Sequence, residues 1–118
     1  METMKPTTAM AVALAAVEVF RNECRADLGT QTVSYFLHVA MRSEIPMFDL
    51  IELLGLSNAA VSRNINVLGD GTPKKPGLKL VKAREDREFR RRKIVTLTPL
   101  GRALAKKVVA AMNNVKGA

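Results

Sequence analysis

The sequence is short of the residues that do redox and metal chemistry. It has one cysteine, one tyrosine, one histidine and no tryptophan. A single thiol, Cys24, cannot form an intrachain disulfide or a cysteine-built zinc site. With only His38 beside it, no metal site is expected. Aromatics make up 4% of the chain, too few for a β-sandwich core or a platform that stacks unpaired bases. The longest uncharged apolar run, Ala9 to Val17, is nine residues, too short to cross a bilayer. The first ten residues carry one lysine and no small-residue cleavage site. No signal peptide is therefore read, and a cytoplasmic location is the default expectation. No Ser/His/Asp or Cys/His set is placed for nucleophilic catalysis. The glycine-rich GDGTPKKPG at 69–77 lacks the GxxxxGK[ST] order of a phosphate-binding loop. Neither an enzyme nor a cofactor is expected.

What is present is apolar and basic. The chain has 118 residues, 47% of them hydrophobic, which fits one domain (1–118) with one real core. The net charge is +8 and unevenly placed. Residues 1–62 are net −3, residues 63–93 net +7 and residues 94–118 net +4 with no acidic residue. Solvated surfaces usually mix signs. A segregated basic excess points to a polyanion, and nucleic acid is the commonest one. The segment has no broad apolar face beside its charges, which argues against a membrane partner.

The pattern predicts five helices and a hairpin. A helix capped by Thr7 or Thr8 is expected from about 9 to 25, ended by Gly29. It is apolar almost all round, which suits a buried core helix or half of a dimer interface. Thr30 is expected to cap a second helix over about 31–42, with Val33, Phe36, Leu37, Ala40 and Met41 inward. Pro46 permits an extended pair with Ile45, and a short helix follows over about 48–54. After the turn Gly55-Leu56-Ser57, Ser57 caps a fourth helix over 58–68 whose inner face is Val61, Ile65 and Leu68. GDGTPKKPG reads as a loop. Residues 78–81 alternate as a strand, 82–92 are charged and turn-like, and 93–97 form the returning strand. Thr98-Pro99 starts a last helix, with Leu100, Leu104, Val108, Ala111 and Val115 on one stripe.

Helix, glycine-containing turn, helix, then basic hairpin predicts a mainly α fold with a small β-hairpin wing, a winged helix-turn-helix. Residues 1–43 are the N-terminal, dimerising helices, 44–98 the helix-turn-helix and wing, and 99–118 the C-terminal helix. The major groove admits an α-helix whose outer face carries small or polar groups. Asn58, Ala59, Ala60, Ser62, Arg63 and Asn66 suit that face. Arg63 and Asn66 are the candidates for bidentate reading of guanine and adenine, while Ser57 and Ser62 suit phosphates. Residues 84–92 hold five arginines, Arg84, Arg87, Arg90, Arg91 and Arg92. They are placed for phosphates or a narrow minor groove. Lys74 and Lys75 form a further phosphate clamp.

Residues 49–109 resemble the MarR family of bacterial transcription factors. The matching stretches are DLIELLGLSNAAVSRNINVLG at 49–69 and GLKLVKAREDREFRRRKIVTLTPLG at 77–101. The second ends in the family's Leu-Thr-x-x-Gly helix start, here Leu97 to Gly101. The resemblance implies a homodimer on a pseudo-palindromic duplex, usually a repressor. It puts Arg91 in the place of the family's wing-tip arginine. The family's wing aspartate falls on Phe89, or on Asp86 if the wing is one turn longer. Some members sense peroxide through a first-helix cysteine near second-helix tyrosines, which would make Cys24 a redox site beside Tyr35. A lone cysteine on an apolar helix is more often a packed small hydrophobe. A small-molecule effector is left open, and the short, aromatic-poor chain argues against a well-formed pocket. The expected function is a sequence-specific regulator binding double-stranded DNA. The alternatives are an architectural or plasmid/phage replication-partition DNA binder with low specificity, and a protein-interaction module.

Overall fold

In the computed structural model, which describes residues 3–89 and 92–116, proline opens the first helix. α1 spans Pro6–Glu23, with Lys5 extended before it and no side-chain cap. The fixed φ of Pro6 is already helical, so the helix starts ahead of Thr7 and Thr8, which lie inside it. The chain divides into two compact units, residues 1–28 with 103–118, and residues 29–102.

The first unit holds α1 and most of the last helix. Val12 and Phe20 are its buried residues on α1, and Leu104 and Val108 are buried on the last helix. Lys107 Nζ reaches Glu23 at 3.1 Å, and Arg21 pairs with Glu18 at 2.9 Å. α1 is not a fully buried core helix. Met10, Leu14 and Val17, at helical spacing, are exposed.

The second unit begins with α2, Thr30–Ala40, preceded by Gly29 without a side-chain cap. Thr30 is thus the first helical residue rather than the cap. Its buried residues are Thr32, Tyr35, Phe36 and Val39, while Leu37 and Met41 are 40% and 75% exposed. The predicted stripe was therefore rotated. Phe36 belongs to both phases, and the polar Thr32 takes an inner place because a partner awaits it there. β1, Ile45–Pro46, is the extended pair. α3, Met47–Leu54, ends at Gly55, whose φ of 63° is the left-handed conformation glycine accepts freely. α4, Asn58–Leu68, starts where Ser57 Oγ accepts the Ala60 N–H at 3.1 Å.

The 69–77 stretch is not an open loop. Gly71–Thr72 (β2) pairs antiparallel with Lys75–Pro76 (β3). The predicted strand at 78–81 is also displaced. The N–H groups of Leu78, Lys79 and Leu80 donate to the carbonyls of Val67, Gly69 and Leu68, which satisfies the end of α4. Lys79 sits at φ 58°, which breaks an extended run. The strand proper, β4, is Val81–Glu85. It pairs with β5, Lys93–Leu97, from Val81↔Leu97 to Glu85↔Lys93. β1 adds to the other edge of β5 through Ile45↔Val95, giving the order β1-β5-β4. Ile45, Leu50, Val61, Leu68, Val81, Ile94 and Val95 are buried with Tyr35, Phe36 and Val39. Each such side chain contributes roughly 1.5–3 kcal/mol on leaving water.

α5, Pro99–Lys116, begins in this unit. Thr98 Oγ1 accepts the Gly101 N–H at 3.0 Å and donates to the Lys79 carbonyl at 2.7 Å. A Cβ on Gly101 would overlap the Leu80 carbonyl oxygen. The Leu-Thr-x-x-Gly pattern is thereby explained: threonine caps and ties, and glycine lets the helix start lie against the Leu80 carbonyl, just ahead of the wing's first strand. Leu100, placed on the inner stripe by spacing, is 57% exposed.

Candidate nucleic-acid interface

Ser57 fixes the start of α4, and Val61 and Leu68 hold its inner face. Asn58, Ala59, Ser62, Arg63 and Asn66 are exposed on the opposite side. Ala60 is not among them. It is buried at 7%, because it lies a single residue before Val61 and one turn before the buried Asn64. Ser57 is exposed while its oxygen accepts from Ala60, so its O–H is available to donate to a phosphate.

The wing comes to the same side as α4. Ser62 of α4, Met47, Phe48 and Ile51 of α3, and Phe89, Arg92 and Lys93 of the wing line one groove of about 540 Å³. Asp86 N–H donates to the Arg92 carbonyl at 2.8 Å and closes the hairpin. Asp86 Oδ2 lies 3.7 Å from Arg92 Nε. Asp86 thus meets Arg92 through its side chain, while the Arg92 N–H donates to the Phe89 carbonyl at 2.8 Å.

The arginines are not equivalent. Arg84 Nη2 donates to Glu44 Oε2 at 2.6 Å. It lines a second concavity together with the acids Glu44, Asp49, Glu85, Asp86 and Glu88. Arg63 and Arg87 are exposed and have no acidic partner within 4 Å among the described residues. Arg90 and Arg91 lie outside the described residues. Lys74 and Lys75 are exposed on the β2–β3 ribbon, beyond the C-terminal end of α4. There Thr72 Oγ1 accepts the Lys75 N–H at 3.2 Å. No described contact joins them to Arg63 or to the wing.

Cys24 is half-buried. Burial, then the neighbouring Glu23 carboxylate, pushes its thiol pKa up, with Arg25 opposing. A reactive thiol needs the opposite shift. Tyr35 is fully buried, and burial raises its phenol pKa. Among the described residues no group of three or more His, Cys, Asp and Glu could hold a metal ion. No helix among them is long and apolar enough to cross a membrane.

Sequence reasoning missed Asn64 and Glu44. Asn64 could have been found, because it completes the 61–64–68 spacing of the inner stripe. Glu44 could not, since only the sheet brings it to Arg84, 40 residues away.

A capped helix at the heart of a helix-turn-helix, followed by a two-stranded wing, defines the winged helix-turn-helix class. No protein-family model matches the sequence, and no curated protein sequence matches it. Solved structures do. The transcriptional regulator Tm0710 from Thermotoga maritima is 16% identical, over 92% of this chain and 69% of that one, with a TM-score of 0.74. A MepR variant from S. aureus, bound to an oligodeoxyribonucleotide, is 15% identical over 94% of this chain and 75% of that one, TM-score 0.73. MarR itself is 15% identical over 95% and 79%, TM-score 0.64. The chain has the MarR-type winged helix fold.

Proposed function

We propose that the protein is a transcriptional regulator that binds double-stranded DNA as a homodimer and represses. The observation that carries this reading is the single exposed face of α4, with Asn58, Ser62, Arg63 and Asn66 outward, and with Ser62 sharing a groove with Arg92 and Lys93 of the wing. Arg63 and Asn66 read base edges, Ser57 and Ser62 hold phosphates, and Ala59 lets the helix approach closely. Arg87, Arg90, Arg91 and Arg92, with Lys74 and Lys75, grip the backbone. Arg84 serves less, being held by Glu44. Dimerisation uses the exposed Met10, Leu14 and Val17 on α1, whose burial between copies would remove a contiguous apolar stripe from water. The similar MepR variant is bound to an oligodeoxyribonucleotide, and the Tm0710 neighbour is a transcriptional regulator. Both favour regulation over catalysis.

The test is selection of genomic fragments at about 150 mM salt, where counterion release already weakens non-specific contacts. An inverted repeat with half-sites about one helical turn apart supports the dimeric regulator. Arg63→Ala should then lose roughly 1–3 kcal/mol of discrimination and keep non-specific binding. Fragments without a shared motif would transfer the reading to an architectural binder, and no binding at all would end it.

A further inference from the structure

α4 packs into its own unit through a few apolar side chains. Ala60, Val61 and Leu68 are buried, and Ile65 only partly. Contacts among small apolar groups set how close a helix lies but hardly set its roll, because dispersion has no direction. Two sets of contacts do have direction: the N–H groups of residues 78–80 hold carbonyls at the C-terminal end of α4, and at mid-helix one side-chain pair faces α2. Thr32 Oγ1, from α2, donates to Asn64 Oδ1 at 2.6 Å. Asn64 Nδ2 in turn donates to the Ala60 carbonyl at 2.9 Å.

Thr32 and Asn64 are the buried polar residues among the described ones, at 9% and 6% exposure. Asn64 occupies the inner-stripe place where an aliphatic residue would bury more apolar surface and need no partner. A site that only filled space gains nothing from asparagine. What the amide adds is a penalty on wrong alignments. Shifting α4 by one residue turns it by about 100° and moves it about 1.5 Å. The apolar contacts could re-form after such a shift, but Asn64 would leave this face and the buried Thr32 hydroxyl would lose its acceptor.

We propose that the Thr32–Asn64 pair is a registration clip that sets the roll and axial position of α4, and through it the aim of the adjacent Arg63. The inference rests on reading α4 as the helix that meets DNA. The pair is a positioning element: both side chains are buried, so neither touches a base.

The experiment compares Thr32→Val/Asn64→Leu with Thr32→Ser. Two readouts are needed, the amide NMR signals of α4 without DNA, and the affinity ratio between a selected duplex and a scrambled one. The apolar pair should fold and melt no lower than the parent, since matched apolar replacements of buried polar groups are often neutral or better. Its α4 amides should broaden or double, and its affinity ratio should fall roughly tenfold with scrambled-duplex binding unchanged. Thr32→Ser keeps the hydroxyl, so it should retain sharp signals and the ratio even if it melts lower. Sharp single signals and an intact ratio in the apolar pair would overturn the clip. So would equal losses in Thr32→Ser and Thr32→Val, the comparison that applies if the double variant does not fold. A parent protein that fails to discriminate duplexes defeats the DNA reading alone. The α4 signals then decide the clip, with broadening supporting it and sharp signals overturning it.

Discussion

The Thr98 hydroxyl donates to the Lys79 carbonyl at 2.7 Å, and Lys79 is the one described non-glycine residue with positive φ, 58°. A strained link and the cap of α5 are thus held by one side chain. Thr98→Ala removes both the cap and the tie, and should lower stability by about 2 kcal/mol. Lys79→Gly relieves a left-handed conformation and should melt at or above the parent. Urea denaturation of the two variants should move their midpoints in opposite directions.

Gly101 and Gly29 should respond differently to the same methyl group. At Gly101 an added Cβ meets the Leu80 carbonyl, whereas at Gly29 it meets nothing within 4 Å. Gly101→Ala should destabilise by several kcal/mol, more than about 3. Gly29, at φ −70°, accepts the methyl without a clash, so Gly29→Ala should change stability by less than about 1 kcal/mol, the restriction of the unfolded chain offsetting alanine's weaker N-cap. Thermal melts of the two single variants check the contrast.

Tyr35 predicts both a mutational and an alkaline effect. Its hydroxyl is buried and has no hydrogen-bond partner among the described residues. Tyr35→Phe should therefore raise stability, by about 1 kcal/mol. Burial raises the phenol pKa in the folded protein. Above about pH 10, the ordinary value, the unfolded chain loses this proton while the folded protein keeps it. The unfolded state then binds fewer protons, and stability falls as pH rises. Melting curves from pH 8 to 11 should show that fall in the parent and a shallower one in Tyr35→Phe.

The wing arginines should contribute unequally to salt dependence. Each phosphate contact adds about 0.9 to the slope of log affinity against log salt. Arg87→Gln should reduce the slope by about one such step, and Arg84→Gln by clearly less, because Arg84 already faces Glu44. The ion pair is half exposed and contributes little to stability. Glu44→Gln should accordingly leave the melting temperature nearly unchanged while it frees Arg84 and steepens the slope. Binding titrations across salt concentrations measure all three.

The order of elements was legible because its signals are local. Ser57 marks the start of α4, Thr98-Pro99 that of α5, and Pro46 the extended pair. The errors arose where tertiary partners outweighed local pattern. Pro6 took the helix start from the threonines. The end of α4 drew the N–H groups of 78–80 away from a strand. On α2, spacing alone could not separate two phases that share Phe36, and the partner of Thr32 settled which one is inward. The candidate face of α4 was legible for the same local reasons, except at Ala60. The pairing of Arg84 with Glu44 was not, because it depends on β1 lying beside β5.

The hydrogen bond from Asp86 to Arg92 closes the ladder of β4 and β5 at its outer end. Of the described residues beyond it, Arg87, Glu88 and Phe89 are exposed and belong to no strand. Hairpin ends tolerate length changes at small entropic expense. The wing is thus built as a fixed handle with an exchangeable tip. A lineage, or an engineer, could lengthen, shorten or recharge the tip and so retune grip on a polyanion without reopening the hydrophobic core.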